Sequence, residues 1–565
     1  KCIEKFIQLD VDYCSNINPP TFPDGFDVEV IKLSALKKSY ESITSKFDKE
    51  HVTTHIVSSE SFSKFNIAND KNFSDLRLTV DNPEDFEVIK NVFEYFSPDI
   101  YFDWKKILDL QSTKPHLFAN NKNIVNNEGS KVNSGQKLYK RAKKIIPGGN
   151  MLLSKRPEMF LPNIWPAYFS KAKACKVWDL DEKEYIDMSL MGVGTNILGY
   201  SHEEIDEAVI KTVEKGNMST LNCPEDVYLS EKLIELHPWA NMVRLARSGG
   251  EANSIAVRIG RAASGRDGVA ICGYHGWHDW YLSANINDDK NLDGHLLAGL
   301  DPRGVPRGLA GTVLPFEYNN FDELVNLVSN NSIGVIKMEV QRNKAPTDNF
   351  LHKVRKLATE HNIVLIFDEC TSGFRQTFGG LHLDYNVEPD IAIFGKALGN
   401  GYAITSIIGR RNVMEAAQST FISSTFWTER IGPTAALKTL EVMEKEKSWE
   451  KITKIGLNLK KGWEKLSKKH NLLIEQWGIP SLAGFTFLSK NNFSYKTLIT
   501  QEMLKHNYLA SNSTYICIDH TQEVLDDYFS ILDPIFGLIK ECEEGKEVSN
   551  ILQGPTCHVG FKRLN

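Results

Sequence analysis

Two short apolar runs, each ending on a charged group, constrain this chain more than any other feature. Ile363 to Phe367 (IVLIF) stops on two acids, Asp368 and Glu369. Asp390-Ile-Ala-Ile-Phe394 stops on Gly395 and Lys396, and a turn containing Gly399 and Gly401 follows. Apolar runs this short, rich in β-branched residues and bounded by turn residues, read as strands of a buried parallel sheet. In open α/β sheets ligands sit beyond the carboxyl ends of the strands. An acid and a lysine at two such ends suit one chemistry. The lysine amine forms a Schiff base with pyridoxal 5′-phosphate (PLP), and the carboxylate keeps the pyridine nitrogen protonated so that the ring draws electrons. Taken singly, Asp368 reads as a helix cap and Lys396 as a surface turn residue. Together, among Gly373, Gly395, Gly399 and Gly401, they favour the cofactor.

A third stretch supplies the anion site that PLP needs. In MVRLARSGGEANSIAVRIG, Val243 to Ala246 reads as a strand and Ser248-Gly249-Gly250 as a turn. Glu251 opens a helix with apolar positions Ala252, Ile255, Ala256 and Ile259. A helix start after a glycine turn presents bare amides and the positive end of the dipole, so the 5′-phosphate is expected there. Val269 to Cys272 is the next strand, followed by Tyr274 and His275. Ile333 to Val340 (IGVIKMEV) is another, ending near Glu339.

The segments FDECTSGFR and FGKALGNGYAITSIIG resemble the aspartate and lysine motifs of the class III, fold-type I aminotransferases, and within them the glutamate-1-semialdehyde aminomutase branch. The resemblance runs from about Gly135 to Asn565. It implies an α/β fold: a large, mostly parallel-sheet domain and a small α+β C-terminal domain. It implies that Lys396 is the Schiff-base lysine and Asp368 the pyridine-nitrogen partner. Ser248, Gly249 and Gly250 would hold the phosphate, Tyr274 would stack on the ring beside His275, and Cys370 would stand where the family usually has valine. Thr425 would cross a homodimer interface to the partner's cofactor phosphate, with Thr428 as fallback. Glu339 would be structural. Arg156 matches the arginine that reaches substrate, and Glu251 is a further substrate candidate.

Ahead of this lies a segment of another kind. TFPDGFDVEV, KEHVTTHI and LRLTVDNPEDFEVI resemble the second half of the cytidylyltransferases that activate acidic and surface-polysaccharide sugars, which implies a partial α/β nucleotidyltransferase-like domain. Asp81 matches a metal aspartate of that family and otherwise reads as an N-cap. The family's nucleotide loop would lie upstream of Lys1. The residues themselves suggest a strand at Asp27–Ile31, a helix over Ser34–Phe47 and a half-buried strand through Leu76, Leu78 and Val80. A helix with apolar Phe86, Ile89, Val92 and Phe93 completes the segment. The Asn- and Ser-rich stretch from about Gln111 to Gly135 reads as a linker. The expected division is residues 1–115, a linker at 116–134, an arm at 135–200, a cofactor-binding domain at 201–445 and a small domain at 446–565. Within the arm, Val177–Asp179 and Tyr185–Asp187 read as a hairpin. Ser201 and Glu204 read as a capping box.

The 565 residues carry a net charge of −6, which gives no footprint for nucleic acid or an anionic membrane. No apolar run reaches the ~20 residues of a membrane helix. The nine cysteines are scattered without a C-x-x-C pair, which suits free thiols in a reducing, cytoplasmic setting. The expectation is a PLP-dependent aminotransferase working on a small-molecule amino donor and a carbonyl acceptor. The fused segment suggests that the acceptor is a sugar or polyol derivative for surface polysaccharide. One alternative is intramolecular amino transfer of the glutamate-1-semialdehyde 2,1-aminomutase type. Another, of a different class, is a nucleotidyltransferase with a non-catalytic C-terminal module.

Overall fold

The structure, a computed structural model, describes residues 1–43, 53–59, 61–74, 76–81, 83–121, 133–295 and 297–561. The chain divides into two compact units, Lys1–Ser134 and Gly135–Asn565.

The second unit is built on a seven-stranded sheet. Its strands are β1 (Met242–Ala246), β2 (Gly268–Cys272), β3 (Val313–Pro315), β4 (Ile333–Glu339), β5 (Val364–Glu369), β6 (Ile391–Phe394) and β7 (Thr405–Gly409). Their order across the sheet is β1-β7-β6-β5-β4-β2-β3. Only β7 runs antiparallel to its neighbours; every other pairing is parallel. The anticipated apolar runs therefore lie where sequence patterning put them, each buried along its whole length. The reversed strand β7 was not anticipated.

Helices cover both faces, as a parallel sheet requires. On one face, α1 (Gly249–Ser264) lays Ala252, Ile255, Ala256 and Ile259 against Val335, Val364, Ile366, Ile391 and Ile393. The approach is close: a Cβ on Gly260 would stand 2.9 Å from Val335. On the other face, α2 (Phe321–Asn330) and α3 (Phe350–Glu360) pack on Ile336, Met338, Leu365 and Phe367. Strand alternation then sorts the polar strand ends. Asp368, in step with Ile366, faces the α1 side, and Glu369 faces the opposite side.

The anticipated hairpin forms, with Val177 opposite Tyr185. Its second strand also pairs in parallel with Tyr508–Ala510. The arm and the C-terminal region thus share one four-stranded sheet, a long-range pairing that no local pattern announces. The capping box expected at Ser201 does not form. Ser201 Oγ hydrogen-bonds Asp206 at 2.6 Å, Glu204 pairs with Lys445 at 2.7 Å, and the helix starts at Glu203.

In the first unit a three-stranded sheet has Tyr13–Ser15 at its centre, between Glu29–Ile31 and Lys64–Asn66. The expected helix over Ser34–Phe47 is seen as Leu33–Ser42; residues 44–50 lie outside the described set. The strand expected through Leu76 and Val80 reduces to a single bridge between Arg77 and Asp24. The cause is electrostatic: buried Arg77 bonds Asp85 at 2.8 Å and Asp24 at 3.1 Å, so the local geometry follows its ion pairs. The helix Pro83–Phe96 buries Val88 and Val92 and leaves Phe86 and Phe93 exposed, a different stripe from the one expected. The linker also starts later than expected. A helix runs to Thr113, Phe118 is buried in this unit's core, and residues 122–132 lie outside the described set.

Candidate active site

Parallel register brings the sheet's polar ends together. Asp368 pairs across the sheet with Ile393, Glu369 pairs with Phe394, and Lys396 follows two residues later. At the far side β1 ends at Ala246 opposite Thr405, the first residue of β7. Thr405 ties the two turns together. Its hydroxyl donates to Ser248 O at 3.4 Å, and its methyl would stand 2.9 Å from a Cβ on Gly395. The lysine turn, the aspartate strand and the glycine turn before α1 thus lie at the carboxyl end of one sheet.

Asp368 is almost fully buried. Its Oδ2 accepts from His275 Nδ1 at 2.8 Å and its Oδ1 from the Cys370 amide at 3.1 Å. Lys337 Nζ lies 3.8 Å from Oδ2. Burial by itself would raise the aspartate's pKa. The Lys337 charge and then the His275 hydrogen bond outweigh it and hold the carboxyl well below the usual range. Lys396 adopts a left-handed backbone (φ 44°), a conformation of the kind that concentrates at functional sites. Its Nζ donates to Thr371 Oγ1 at 2.8 Å. Burial, then the Arg342 guanidinium, depress its pKa to about 8. A lysine so placed is a competent nucleophile near neutral pH.

Across the turn, Ser248 caps α1 and Glu251 closes a capping box, its carboxylate accepting from the amides of Ser248 at 2.9 Å and Arg247 at 3.2 Å. A Cβ on Gly249 would meet only Cys370 Sγ, at 3.8 Å, whereas one on Gly250 would stand 3.0 Å from His278 Nε2; the Glu251 amide is capped by Ser248 Oγ. The Cys370 thiol also lies 3.4 Å from the Cβ position of Gly395, between the lysine turn and the phosphate turn. The Tyr274 amide donates to Glu339 at 3.3 Å, and Glu339 in turn holds Arg342 at 3.0 Å. An amine of lowered pKa, an ionised carboxylate and a glycine turn at a helix N-terminus, all at the carboxyl end of one sheet, fit PLP.

Glu369, on the other face, has a structural part. It accepts from His382 Nδ1 at 2.5 Å, from the Leu381 amide at 2.5 Å and from Ser372 Oγ at 3.0 Å. His382 Nε2 accepts from Trp239 at 2.9 Å, so the Nδ1 proton points at Glu369. This network pins the chain after β5.

Lys396, Asp368, Cys370, Tyr274, His275 and the Ser248–Gly250 turn are therefore neighbours. The other expected residues have different parts. Glu251, expected at substrate, serves the capping box and accepts from Trp427 at 3.3 Å, because a helix start of this kind needs its third-position carboxylate. Arg156 is buried with its guanidinium over the Phe561 ring, 5.7 Å from the centroid, neither being part of the lysine–aspartate set. Thr425 stands exposed at the head of a short 3-10 turn. Asp81 pairs with Arg77 at 2.9 Å, and no cluster of metal-ligating side chains exists among the described residues. Four residues carry no motif signal of their own: Thr371, Arg342, Lys337 and Arg375, the last buried with its Nε donating to Thr371 O at 2.6 Å and its charge adding to the depression of Lys396. Lys337 nonetheless stands out as a lone charge inside the apolar run IGVIKMEV.

Strand order, lysine and carboxylate together define a PLP-dependent enzyme of fold type I. The Aminotransferase class-III family matches residues 162–492, and the chain belongs to that family. It is 33% identical over 416 residues to the 3-aminobutyryl-CoA aminotransferase of Cloacimonas acidaminovorans, covering 70% of this chain and 95% of that protein. It is 32% identical over 341 residues to a glutamate-1-semialdehyde 2,1-aminomutase of Methanothrix thermoacetophila, covering 59% of this chain and 76% of the other. Among solved structures, the FumI protein of Sphingopyxis sp. MTA144, in its PLP internal aldimine form, aligns with a TM-score of 0.66 at 23% identity, over 74% of this chain and 99% of that one. A glutamate-1-semialdehyde aminomutase from Pseudomonas aeruginosa PAO1 aligns at 0.61 and 17% identity, over 71% and 94%. At these identities the structural likeness speaks for the fold alone.

Proposed function

We propose that the protein moves an amino group from a small amino donor to the carbonyl of a separate acceptor, a sugar- or polyol-derived compound destined for a surface polysaccharide. The observation that carries the amino transfer is the Lys396 amine, held by Thr371 and depressed to about 8, at a strand end beside Asp368. PLP, when bound, supplies the electron sink. Lys396 Nζ takes the proton from the substrate carbon and returns it, with Thr371 Oγ1 fixing where the amine points. Asp368, kept ionised by its neighbours, stabilises positive charge at the ring nitrogen. Tyr274 and Cys370 would bound the cofactor ring, and Ser248, Gly249 and Gly250 would hold its phosphate.

The sugar acceptor is supported by the cytidylyltransferase-like reading of residues 1–115, an associational ground, since fused segments tend to serve one route. We further read Thr425 as the residue that reaches a partner subunit's phosphate site, which makes the working unit a homodimer. The aminomutase reading is favoured by the 28–32% identity to four named aminomutases.

The test is a PLP-loaded assay with glutamate and a panel of keto-sugars, with 3-aminobutyryl-CoA as competitor donor. Formation of 2-oxoglutarate that depends on a keto-sugar supports the proposal. Isomerisation of an amino aldehyde without an external donor supports the mutase. Turnover of the acyl-CoA with 2-oxoglutarate as acceptor, and none with any keto-sugar, sinks the sugar assignment.

A further inference from the structure

Lys337 sits in the middle of a wholly buried strand and is itself completely shielded from solvent. Its Nζ has no hydrogen-bond acceptor among the described residues, and its only carboxylate neighbour in ion-pair range is Asp368 Oδ2, at 3.8 Å. It comes from β4 on the same sheet face as Asp368, because residues 335, 337 and 339 alternate toward α1. A buried ammonium with no fixed acceptor is costly unless a charge nearby compensates it.

The enclosure has a surplus of cation formers. Asp368 is the one carboxylate among the described residues within 4.0 Å of Lys337. His275 is also fully buried; its Nδ1 faces Asp368 at 2.8 Å and its Nε2 faces Cys272 O at 3.2 Å, so both ring nitrogens meet acceptors. The other groups that act on Lys337 are Cys370, whose own thiol is pushed up by burial, and Glu339, which is already paired with Arg342. A protonated pyridine nitrogen at Asp368 would be a third cation former around one anion. In a dry site a single carboxylate compensates a single positive charge.

We propose that Lys337 is the exchangeable counter-cation of Asp368: an ammonium while the ring is absent, and a neutral amine once a protonated ring nitrogen is docked on the carboxylate. In the exchange the Lys337 N–H bond breaks, the electron pair stays on Nζ and the proton leaves to solvent. Asp368 stays a carboxylate throughout, and no electrons are transferred. Lys337 is thus a positioning residue that keeps Asp368 ionised and ready, and cofactor loading is linked to pH. Burial, the largest influence on Lys337, lowers its pKa and makes the proton releasable. The inference rests on Asp368 being the ring-nitrogen partner.

The experiment titrates apoprotein with pyridoxamine 5′-phosphate, which has no aldehyde and so forms no bond to Lys396. Calorimetry in non-phosphate buffers of different ionisation enthalpy counts the protons exchanged. Wild type is expected to release about one proton near pH 7 that K337M does not release, and H275N is expected to release it as wild type does. The wild-type count alone also decides, should K337M not fold: release must fade as pH rises and the apoprotein's Lys337 is already neutral. No release in wild type, equal release in K337M, or its loss in H275N overturns the inference. Failure of the cofactor to bind at all, or equal binding in D368N, would instead remove the site reading beneath it.

Discussion

At the residue scale the proposed chemistry turns on Lys396, whose Nζ donates to Thr371 Oγ1. The neutral amine is the attacking form, so capture of PLP by apoprotein should speed up as pH rises and level off above a midpoint of about 8, well below a solvated lysine. Stopped-flow absorbance against pH measures this; a midpoint at the ordinary lysine value would contradict the burial argument. Thr371→Val removes the hydroxyl that orients the amine. It should lower kcat by about tenfold to a hundredfold, with KM changing little. Glu369 makes a stability prediction. Burial raises its pKa, but His382 and the backbone amides outweigh this and leave it below the ordinary value. Its contribution is therefore full above ~4.3 and lost as pH falls through the depressed folded pKa. Glu369→Gln turns an amide N–H toward donors and should cost about 3 kcal/mol at pH 7, seen as a lowered Tm. An unchanged Tm would show that the network pins nothing.

At the scale of elements, the helix start at Ser248 and the strand ends at Asp368 and Lys396 were legible because each closes a run whose period declares its type. Thr371 and Arg342 were not legible as partners of Lys396, since their meeting depends on how turns from separate strands converge. Strand β7 reads as apolar and turn-flanked, yet its reversed direction is a property of the sheet and not of its residues. The pairing of Tyr508–Ala510 with Glu184–Met188 spans most of the unit and leaves no local trace. In the first unit the alternation Leu76, Leu78, Val80 misled because Arg77 is buried too, by its ion pairs. The packing of α1 on the sheet gives a direct check. Gly260→Val places methyls against Val335 and Ile366 and should destabilise by about 1–3 kcal/mol through overpacking. Denaturant melts would reveal it as a lower midpoint at constant slope, and wild-type stability would contradict the close approach.

On the scale of the whole molecule, the carboxyl end of one buried sheet collects groups from strands far apart in sequence, and the chain is a class-III aminotransferase. No helix among the described residues is long and apolar enough to cross a membrane. The measurement that bears most directly on the account is borohydride reduction of the PLP-loaded protein followed by peptide mass mapping. Reduction fixes the imine as a stable amine on whichever lysine carried it. Pyridoxyl label is expected on Lys396 and not on Lys337. Label on another lysine, or none on a protein that had bound PLP, would contradict it.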